Sequence, residues 1–300
     1  MTVAVIGAGR MGAGMVRRLR ERGIDTVVFN RTREKAEALT SSGARVASTA
    51  REAVENAEFV LVSLANDEVV RSAYNGPLGV VAGLHPGEVV LEASTIAPET
   101  IAGLRPLVED KGAALLDTPV SGSVQLLERG ELTVMVGGDA TALERARPVL
   151  DAIATKVFHV GPSGTGATMK LVVNSVLAGL NQALSESLVL AELAGVDRRA
   201  AYDVLSGTAV AAPYVHYKRA AFENPEAAPV AFSLELVAKD LDLIAALADR
   251  VGARMDQAAT DRKVVREAIL AGLGDRDLSA LAVFLREVAR RDRAAAPSRP

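Results

Sequence analysis

The stretch Thr2-Val-Ala-Val-Ile-Gly7-Ala-Gly9-Arg-Met-Gly12 joins an apolar run directly to a glycine-rich loop. The β-branched run predicts a strand, and apolar residues from Met15 onward recur at helical spacing. A G-x-G-x-x-G loop between a strand and a helix is the context of the dinucleotide-binding fingerprint. Its first glycine permits a tight turn, the second lets a pyrophosphate approach the backbone, and the third allows close helix packing. The loop therefore predicts a Rossmann domain with phosphates at a helix N-terminus.

The alternation of strand and helix continues outward from this loop through the first half of the chain. Predicted strands are Thr2–Ile6, Thr26–Phe29, Glu58–Leu64, Glu88–Glu92, Ala113–Asp117, Leu132–Val136 and Val157–Val160. Helical stretches separate them, which indicates βαβ units and a mostly parallel sheet. The turn residues Pro162-Ser-Gly-Thr-Gly166 end this pattern.

The second half of the chain predicts helices without strands. Residues 167–194 contain no proline and one glycine, which predicts a helix of roughly 40 Å. Apolar residues surround this helix, so we expect it to be buried, although a membrane span is the competing interpretation. We predict an α/β Rossmann domain over residues 1–162, a long interdomain helix over 163–194, an all-α C-terminal domain over 195–292 and a tail over 293–300.

Composition excludes several classes of function. The 34 basic and 37 acidic residues give a net charge of −3, so no overall field attracts nucleic acid or an anionic membrane. The chain has no cysteine and its three histidines lack metal-ligand spacing, so we expect no metal site. Because the first residues already predict a strand rather than an export signal, we expect a cytoplasmic protein.

The end of the second predicted strand, Asn30-Arg31-Thr32, indicates which dinucleotide is bound. An NAD-binding strand ends in an acid that accepts hydrogen bonds from the ribose, and no acid stands here. Arg31 can pair with a 2′-phosphate, while Asn30 and Thr32 can donate neutral hydrogen bonds to it. The alternative is that Asn30 caps the next helix and Arg31 is a surface charge. We predict NADP (NADPH) as the cofactor, with NAD less favoured.

Further motifs give the chain a family resemblance. They are Asp117-Thr-Pro-Val-Ser121-Gly122-Ser123, Gly164-Thr-Gly166-Ala-Thr-Met-Lys170-Leu-Val-Val-Asn174 and Lys239-Asp240-Leu241. With the glycine loop, they resemble the four motifs of the β-hydroxyacid dehydrogenase family, which includes 3-hydroxyisobutyrate dehydrogenases and glyoxylate/succinic semialdehyde reductases. The resemblance extends from residue 1 to about residue 290. It implies a Rossmann domain, a long central helix and an all-α domain through which homodimers or homotetramers assemble.

The resemblance also implies roles for single residues. Lys170 matches the catalytic lysine, and Asn174 matches an asparagine that holds the lysine and the substrate. The substrate-carboxylate loop corresponds to Ser121, Gly122 and Ser123. The predicted cofactor-binding residues are Gly7, Ala8, Gly9, Arg10, Met11, Gly12, Asn30, Arg31, Thr32, Leu64, Thr95 and Lys239.

The sequence departs from the common family pattern in two places. Ser123 stands where a second glycine is usual, as in the glyoxylate/succinic semialdehyde reductase branch. Leu126 and Leu127 stand where relatives often carry small residues. Both departures bear on which substrate is used.

The residues themselves support the same chemistry. Lys170 and Asn174 are four positions apart and share a helix face; a lysine in an apolar helix is costly unless paired or functional, although a snorkelling lysine is the alternative. An ammonium can stabilise and protonate the alkoxide that forms when a carbonyl is reduced. Oxidation needs the neutral amine, so its pKa must fall from ~10.4 through burial and the charge of Lys239. Backbone N–H groups and hydroxyls at Ser121–Ser123 can hold a carboxylate, with an ordinary turn as the alternative.

These features predict an NADP(H)-dependent oxidoreductase that interconverts a small β-hydroxyacid and its semialdehyde or keto acid, with Lys170 as general acid and base. An imine reductase on a similar fold is the nearest alternative, although such enzymes usually carry Asp or Tyr at the position of Lys170. Resemblance to 6-phosphogluconate dehydrogenase is weaker, because Val173 stands where its lysine motif has His. A non-catalytic NADPH-binding module is the alternative from another class.

Overall fold

The computed structural model describes residues 1–295. Its contacts divide the chain into two compact units, Met1–Leu171 and a second that begins at Val172. The predicted boundary after residue 162 stays a prediction. Of the predicted tail, residues 293–295 belong to the last helix, and the rest lies outside the described residues.

One sheet forms the centre of the first unit. Its strands are β1 (Thr2–Ile6), β2 (Asp25–Phe29), β3 (Arg45–Val46), β4 (Phe59–Val62), β5 (Val89–Glu92), β6 (Ala114–Asp117), β7 (Val120–Ser121), β8 (Leu132–Gly137) and β9 (Ala154–Gly161). The order is β3-β2-β1-β4-β5-β6-β8-β7, with β9 also paired to β8. Strands β1 to β6 pair in parallel, whereas β8 is antiparallel to β6 and β7. The order in which successive strands are added to the sheet reverses between β1 and β4. Doubly wound sheets bind ligands at such a point, at their carboxyl edge.

Helices cover both faces of this sheet. They are α1 (Arg10–Glu21), α2 (Arg33–Glu37), α3 (Ala50–Val54), α4 (Asp67–Tyr74), α5 (Val80–Gly83), α6 (Pro98–Glu109), α7 (Val124–Arg129) and α8 (Ala140–Ile153). Alternate residues of β1 enter different cores: Val3 and Val5 pack with α1 and α8 on one face, while Ala4 and Ile6 join the other cluster. Burial on both faces explains why the central strands are continuously apolar.

The second unit is helical over residues 172–295. The long helix α9 (Thr165–Leu193) leads into it and is followed by α10 (Arg198–Ser206), α11 (Pro213–Glu223), α12 (Leu234–Val251), α13 (Asp256–Ala268) and α14 (Leu281–Ala295). The predicted order of a Rossmann domain, a long helix and a helical domain is therefore confirmed. Among the described residues, no helix is both long and apolar enough to span a lipid bilayer.

The expectation that the long helix is buried on all sides was wrong. The side chains of Val172, Val176 and Leu190 are 46%, 68% and 70% exposed. Their spacing puts them on one face of α9, since each step of a helix turns by about 100°. This face is apolar but no segment of the described chain covers it.

A buried ion pair joins α11 to the segment before α14. The Lys218 ammonium on α11 donates to both carboxylate oxygens of Asp277 at 2.7 and 2.8 Å. Burial acts to raise the pKa of Asp277, but the Lys218 charge and backbone N–H donors such as that of Ser279 outweigh it, so the pKa lies below its usual value. The bonded carboxylate also receives the N–H of Ala231 at 2.9 Å, which fixes the segment before α12.

Candidate active site

The glycine loop leaves room for a ligand at one of its three glycines. At the other two, no residue larger than glycine would fit. Gly7 has φ +106°, and a Cβ there would overlap the carbonyl oxygen of Ser63 at the end of β4. A Cβ on Gly12 would overlap the carbonyl oxygen of Gly7. At Gly9, by contrast, no atom lies within 4 Å of the Cβ position, and α1 begins there without a side-chain cap. The loop therefore fits the pyrophosphate of a dinucleotide.

Asn30 supports the glycine loop from the end of β2. Its Oδ1 accepts a hydrogen bond from the Ala8 N–H at 2.9 Å, and its Nδ2 donates to the Thr32 carbonyl at 2.8 Å. The N-cap of α2 is Thr32 rather than Asn30, so the alternative that Asn30 caps this helix was wrong. Arg31 is exposed beside the loop. The predicted adenosine end of the site thus combines a fixed amide with an exposed guanidinium.

The segments that contain Leu64 and Thr95 are joined through a buried carboxyl group. The Leu64 N–H donates to the Ser94 hydroxyl at 2.8 Å, and the Ser94 N–H donates to Glu92 Oε1 at 2.9 Å. Tyr74 donates its hydroxyl to Glu92 Oε2 at 2.9 Å, and neither of these two side chains is exposed. Burial raises the pKa of Glu92 to about 7, although the bonds from Ser94 and Tyr74 act against this rise. Glu92 therefore fixes the ends of β4 and β5 at the predicted cofactor edge.

The predicted carboxylate loop follows β7. Gly122 has φ +140°, and a Cβ there would lie 2.6 Å from Leu132 Cδ2. The Ser123 hydroxyl caps α7 by accepting the Leu126 N–H at 3.3 Å. A serine in place of the usual glycine thus begins this helix, while the loop itself retains the backbone conformation that favours glycine at position 122.

The two leucines after this loop pack into the domain. Leu127 is fully buried, and its Cδ2 lies 2.6 Å from the position that a Cβ on Gly14 would take. Leu126 is partly buried against the same core. A glycine on α1 therefore accommodates Leu127, and both leucines pack in the core.

Lys170 lies in the second turn of α9 and is partly exposed. The first turn is bonded to β6: Asp117 Oδ1 accepts the Gly164 N–H and Oδ2 accepts the Ala167 N–H, both at 2.8 Å. The carboxyl edge that carries the glycine loop, Thr95 and Ser121–Ser123 thus also carries the beginning of the lysine helix.

Asn174 is located one helical turn after Lys170, in the helical unit. Its Nδ2 donates to Asp240 Oδ2 at 2.5 Å, and both side chains are buried. The Lys239 ammonium lies 2.8 Å from Asp240 Oδ1. One carboxylate on α12 therefore orients the predicted Asn174 and Lys239 together. Among the described residues, no three His, Asp or Glu side chains converge as a metal site would need.

Two family models together match most of the chain. The NAD binding domain of 6-phosphogluconate dehydrogenase matches residues 2–161, and the NAD-binding domain of NADP-dependent 3-hydroxyisobutyrate dehydrogenase matches residues 164–285. NAD-dependent L-serine dehydrogenase of Pseudomonas aeruginosa is 33% identical over 283 residues, which cover 92% of this chain and 95% of that protein. The chain belongs to the β-hydroxyacid dehydrogenase family.

Other members of the β-hydroxyacid dehydrogenase family are similarly close. Glyoxylate/succinic semialdehyde reductase 1 of Arabidopsis thaliana is 31% identical over 281 residues, covering 94% of this chain and 97% of that protein. The solved structure of Mycobacterium tuberculosis 3-hydroxyisobutyrate dehydrogenase with L-serine has a TM-score of 0.84 at 32% identity, covering 95% of this chain and 99% of that one. The chain is accordingly an NAD(P)-dependent dehydrogenase or reductase, whereas the roles of its single site residues stay predictions.

Three buried carboxylates that bond to predicted site segments were assigned no role from the sequence: Glu92 and Asp117 in the first unit, and Asp240 in the helical unit. Asp117 and Asp240 stand inside motifs that the sequence does show. Glu92 ends a continuously apolar strand, where a buried acid needs hydrogen-bond donors. Its position was the signal; the Ser94 N–H that it accepts is two residues away, whereas the Tyr74 hydroxyl comes from α4.

The ionisation of Glu92 predicts a pH dependence of stability. Because the pKa of this carboxyl rises from 4.5 to about 7 on folding, the folded state retains a proton that the unfolded chain loses in this window. The free energy of unfolding should therefore fall as pH rises from about 4.5 to 7, by up to about 3 kcal/mol from this group. Glu92→Gln should lack this part of the decline in urea unfolding at pH 5, 6, 7 and 8.

A matched control is Glu109→Gln, whose carboxylate is on the surface with a side chain 56% exposed. This change should preserve the slope of the parent protein. Equal slopes for the parent and Glu92→Gln would contradict the role given to burial.

Proposed function

We propose that this protein is an NADP(H)-dependent oxidoreductase that interconverts a small β-hydroxyacid and its semialdehyde or keto acid. The carrying observation is the bonded start of α9, which brings the Lys170 helix to the same sheet edge as the glycine loop and Ser121–Ser123. Relatives named for L-serine and for glyoxylate or succinic semialdehyde support a small substrate with a carboxylate. One of them is NAD-dependent by name, so the preference for NADP rests on Asn30-Arg31-Thr32.

The residues of this chain divide the reaction between binding and proton transfer. When bound, NADPH supplies the hydride for carbonyl reduction, and the glycine loop would hold its pyrophosphate. The backbone N–H groups around Gly122 and the Ser121 hydroxyl would bind the substrate carboxylate and orient the carbonyl. The Lys170 ammonium would donate its proton to the carbonyl oxygen as negative charge develops there, and Asn174 would orient the lysine. In oxidation the neutral amine would accept the hydroxyl proton.

The apolar face of α9 supports assembly with further copies of the chain. Val172, Val176 and Leu190 are exposed on that face, and exposed apolar patches mark protein interfaces. We propose a homodimer or homotetramer formed through the helical domain. Light scattering of the purified protein would distinguish a monomer, a dimer and a tetramer. The cytoplasmic location, and the absence of membrane and nucleic-acid partners, stay predictions.

The cofactor preference predicts an effect of Arg31→Ala. Loss of a charged hydrogen bond to the 2′-phosphate should raise the KM for NADPH by about 10–100-fold. The KM for NADH should change by less than about 3-fold, since NADH lacks that phosphate. The neighbouring Arg33, which pairs with Glu37 at 2.7 Å, provides the control variant Arg33→Ala. Equal use of both cofactors by the parent protein would contradict the assignment.

The carboxylate loop predicts a substrate class. In a panel of small semialdehydes and cyclic imines assayed with NADPH, and of β-hydroxyacids assayed with NADP⁺, acids should exceed their neutral amide analogues by about 10–100-fold in kcat/KM. Gly122→Val, which adds a side chain at φ +140°, should abolish turnover of acids while NADPH fluorescence still shows binding. Equal rates with acids and with their amides would contradict the assignment of this loop as the carboxylate site. Preferred reduction of imines would favour an imine reductase.

The proton-donor role predicts the outcome of Lys170→Ala. Turnover should fall by roughly 100-fold or more, within the ~10²–10⁴-fold of general acid–base catalysis, while the Kd for NADPH stays nearly constant. In the parent protein, the reductive kcat should decline at high pH as the ammonium loses its proton, and the oxidative kcat should rise over the same range. A Lys170→Ala protein with normal turnover and the same opposed profiles would assign the proton to another group.

A further inference from the structure

Asp117 occupies an unusual place for a helix cap. The first N–H groups of a helix have no partner within it, and Ser, Thr, Asp or Asn just before the helix normally accepts their hydrogen bonds. The residue before α9 is Gly164, which has no side chain to do this. Asp117 lies at the end of β6, and its two oxygens accept the N–H groups of Gly164 and Ala167, both at 2.8 Å.

The space around this carboxylate leaves no room for a side chain at Gly137 or Gly166. Asp117 is fully buried and pairs with Gly137 at the end of β8. A Cβ on Gly137 would lie 2.6 and 2.7 Å from the carboxylate oxygens, and one on Gly166 would lie 2.6 Å from the carbonyl oxygen of Asp117. The ends of two strands and the first turn of α9 therefore meet around one side chain without space between them.

The contacts of Asp117 determine where α9 begins. Ala167 is three residues before Lys170, and a helix is a stiff element with fixed rise and rotation per residue. The same aspartate stands four residues before Ser121, at the start of the predicted carboxylate loop. We infer that Asp117 is a positioning residue, which fixes the Lys170 helix in register with the substrate loop. This inference rests on the proposed role of Lys170.

The charge of the carboxylate suits this position. A helix N-terminus carries a partial positive charge, which an acidic group there stabilises. Hydrogen bonds from N–H groups to a carboxylate are also shorter and stronger than neutral ones. Asparagine has nearly the same shape, but its amide has one acceptor oxygen for two N–H donors. Asp117→Asn should therefore loosen the start of α9 without emptying the core.

The test is a double-mutant cycle of Asp117→Asn and Lys170→Ala. In the otherwise unchanged protein, Asp117→Asn should lower kcat by about 10–100-fold, because small misplacements of a reacting group have effects of this size. The Kd for NADPH should change by less than about 3-fold. In the Lys170→Ala background, Asp117→Asn should lower kcat by less than about 3-fold, since residues that act through one another are not additive.

A loss of equal size in both backgrounds would overturn the inference, because a general structural defect is additive. Unchanged kcat in folded Asp117→Asn protein would also overturn it. These outcomes are separate from failure of the proposed function, which Lys170→Ala alone reveals by retaining turnover. Asp139→Asn makes the same chemical change at a helix N-terminus, where Asp139 accepts the Ala142 N–H at 2.8 Å, and should leave kcat within about 2-fold.

A second variant keeps the test decisive if Asp117→Asn does not fold. Ala167→Pro replaces the N–H that Asp117 Oδ2 accepts with a ring carbon, which also displaces the carboxylate from the helix, and proline is tolerated in the first turn of a helix. It should also lower kcat about 10-fold or more, at nearly constant Kd for NADPH, and show the same lack of additivity with Lys170→Ala. Full kcat in this variant would overturn the inference.

Discussion

The close approach of the backbone at the glycine loop is the constraint on which the nucleotide end depends. β1 turns into α1 against the end of β4, and no side chain fits at Gly7 or Gly12. Because these contacts involve backbone atoms, no shift of a flexible side chain could relieve them. Between Gly7 and Gly12, the Cβ position of Gly9 is open. Asn30 then fixes the intervening Ala8 N–H, so that the loop is held from β2 as well as from β4.

Buried carboxylates also fix neighbouring segments in place, both along the carboxyl edge of the sheet and in the helical unit. Glu92 receives an N–H from the segment after β5, and Asp117 receives two from the start of α9. Asp240 receives the Asn174 amide. Loops at a sheet edge leave N–H groups without ladder partners, and in a buried place these need acceptors. A carboxylate provides several lone pairs at one point, so it can fix segments that are distant in sequence.

Features that depend on a local sequence pattern could be predicted from the sequence. Features that depend on contacts between distant segments could not. The strands that were predicted are present, with shifts of at most three residues at their ends, because β-branched runs between turns are local signals. β3 and β7 have two residues each and show no periodicity. The exposed face of α9 was missed because an apolar face does not reveal what covers it. Likewise, the packing of Leu127 against Gly14 joins α7 to α1 across more than a hundred residues, which no single motif contains.

A proton donor must be held in position to within a fraction of an ångström. A helix whose first turn is bonded to the end of a strand meets this requirement. A loop would supply the lysine but let it move, since loops lack the contacts that fix a helix. A residue on a rigid element whose first turn is bonded to the sheet has its backbone position fixed before a substrate arrives. The same helix continues to Asn174, whose amide is held by Asp240. In the proposed mechanism, Asp117 on a strand thus fixes the backbone at the start of the lysine helix, while Asp240 on a helix holds the Asn174 amide.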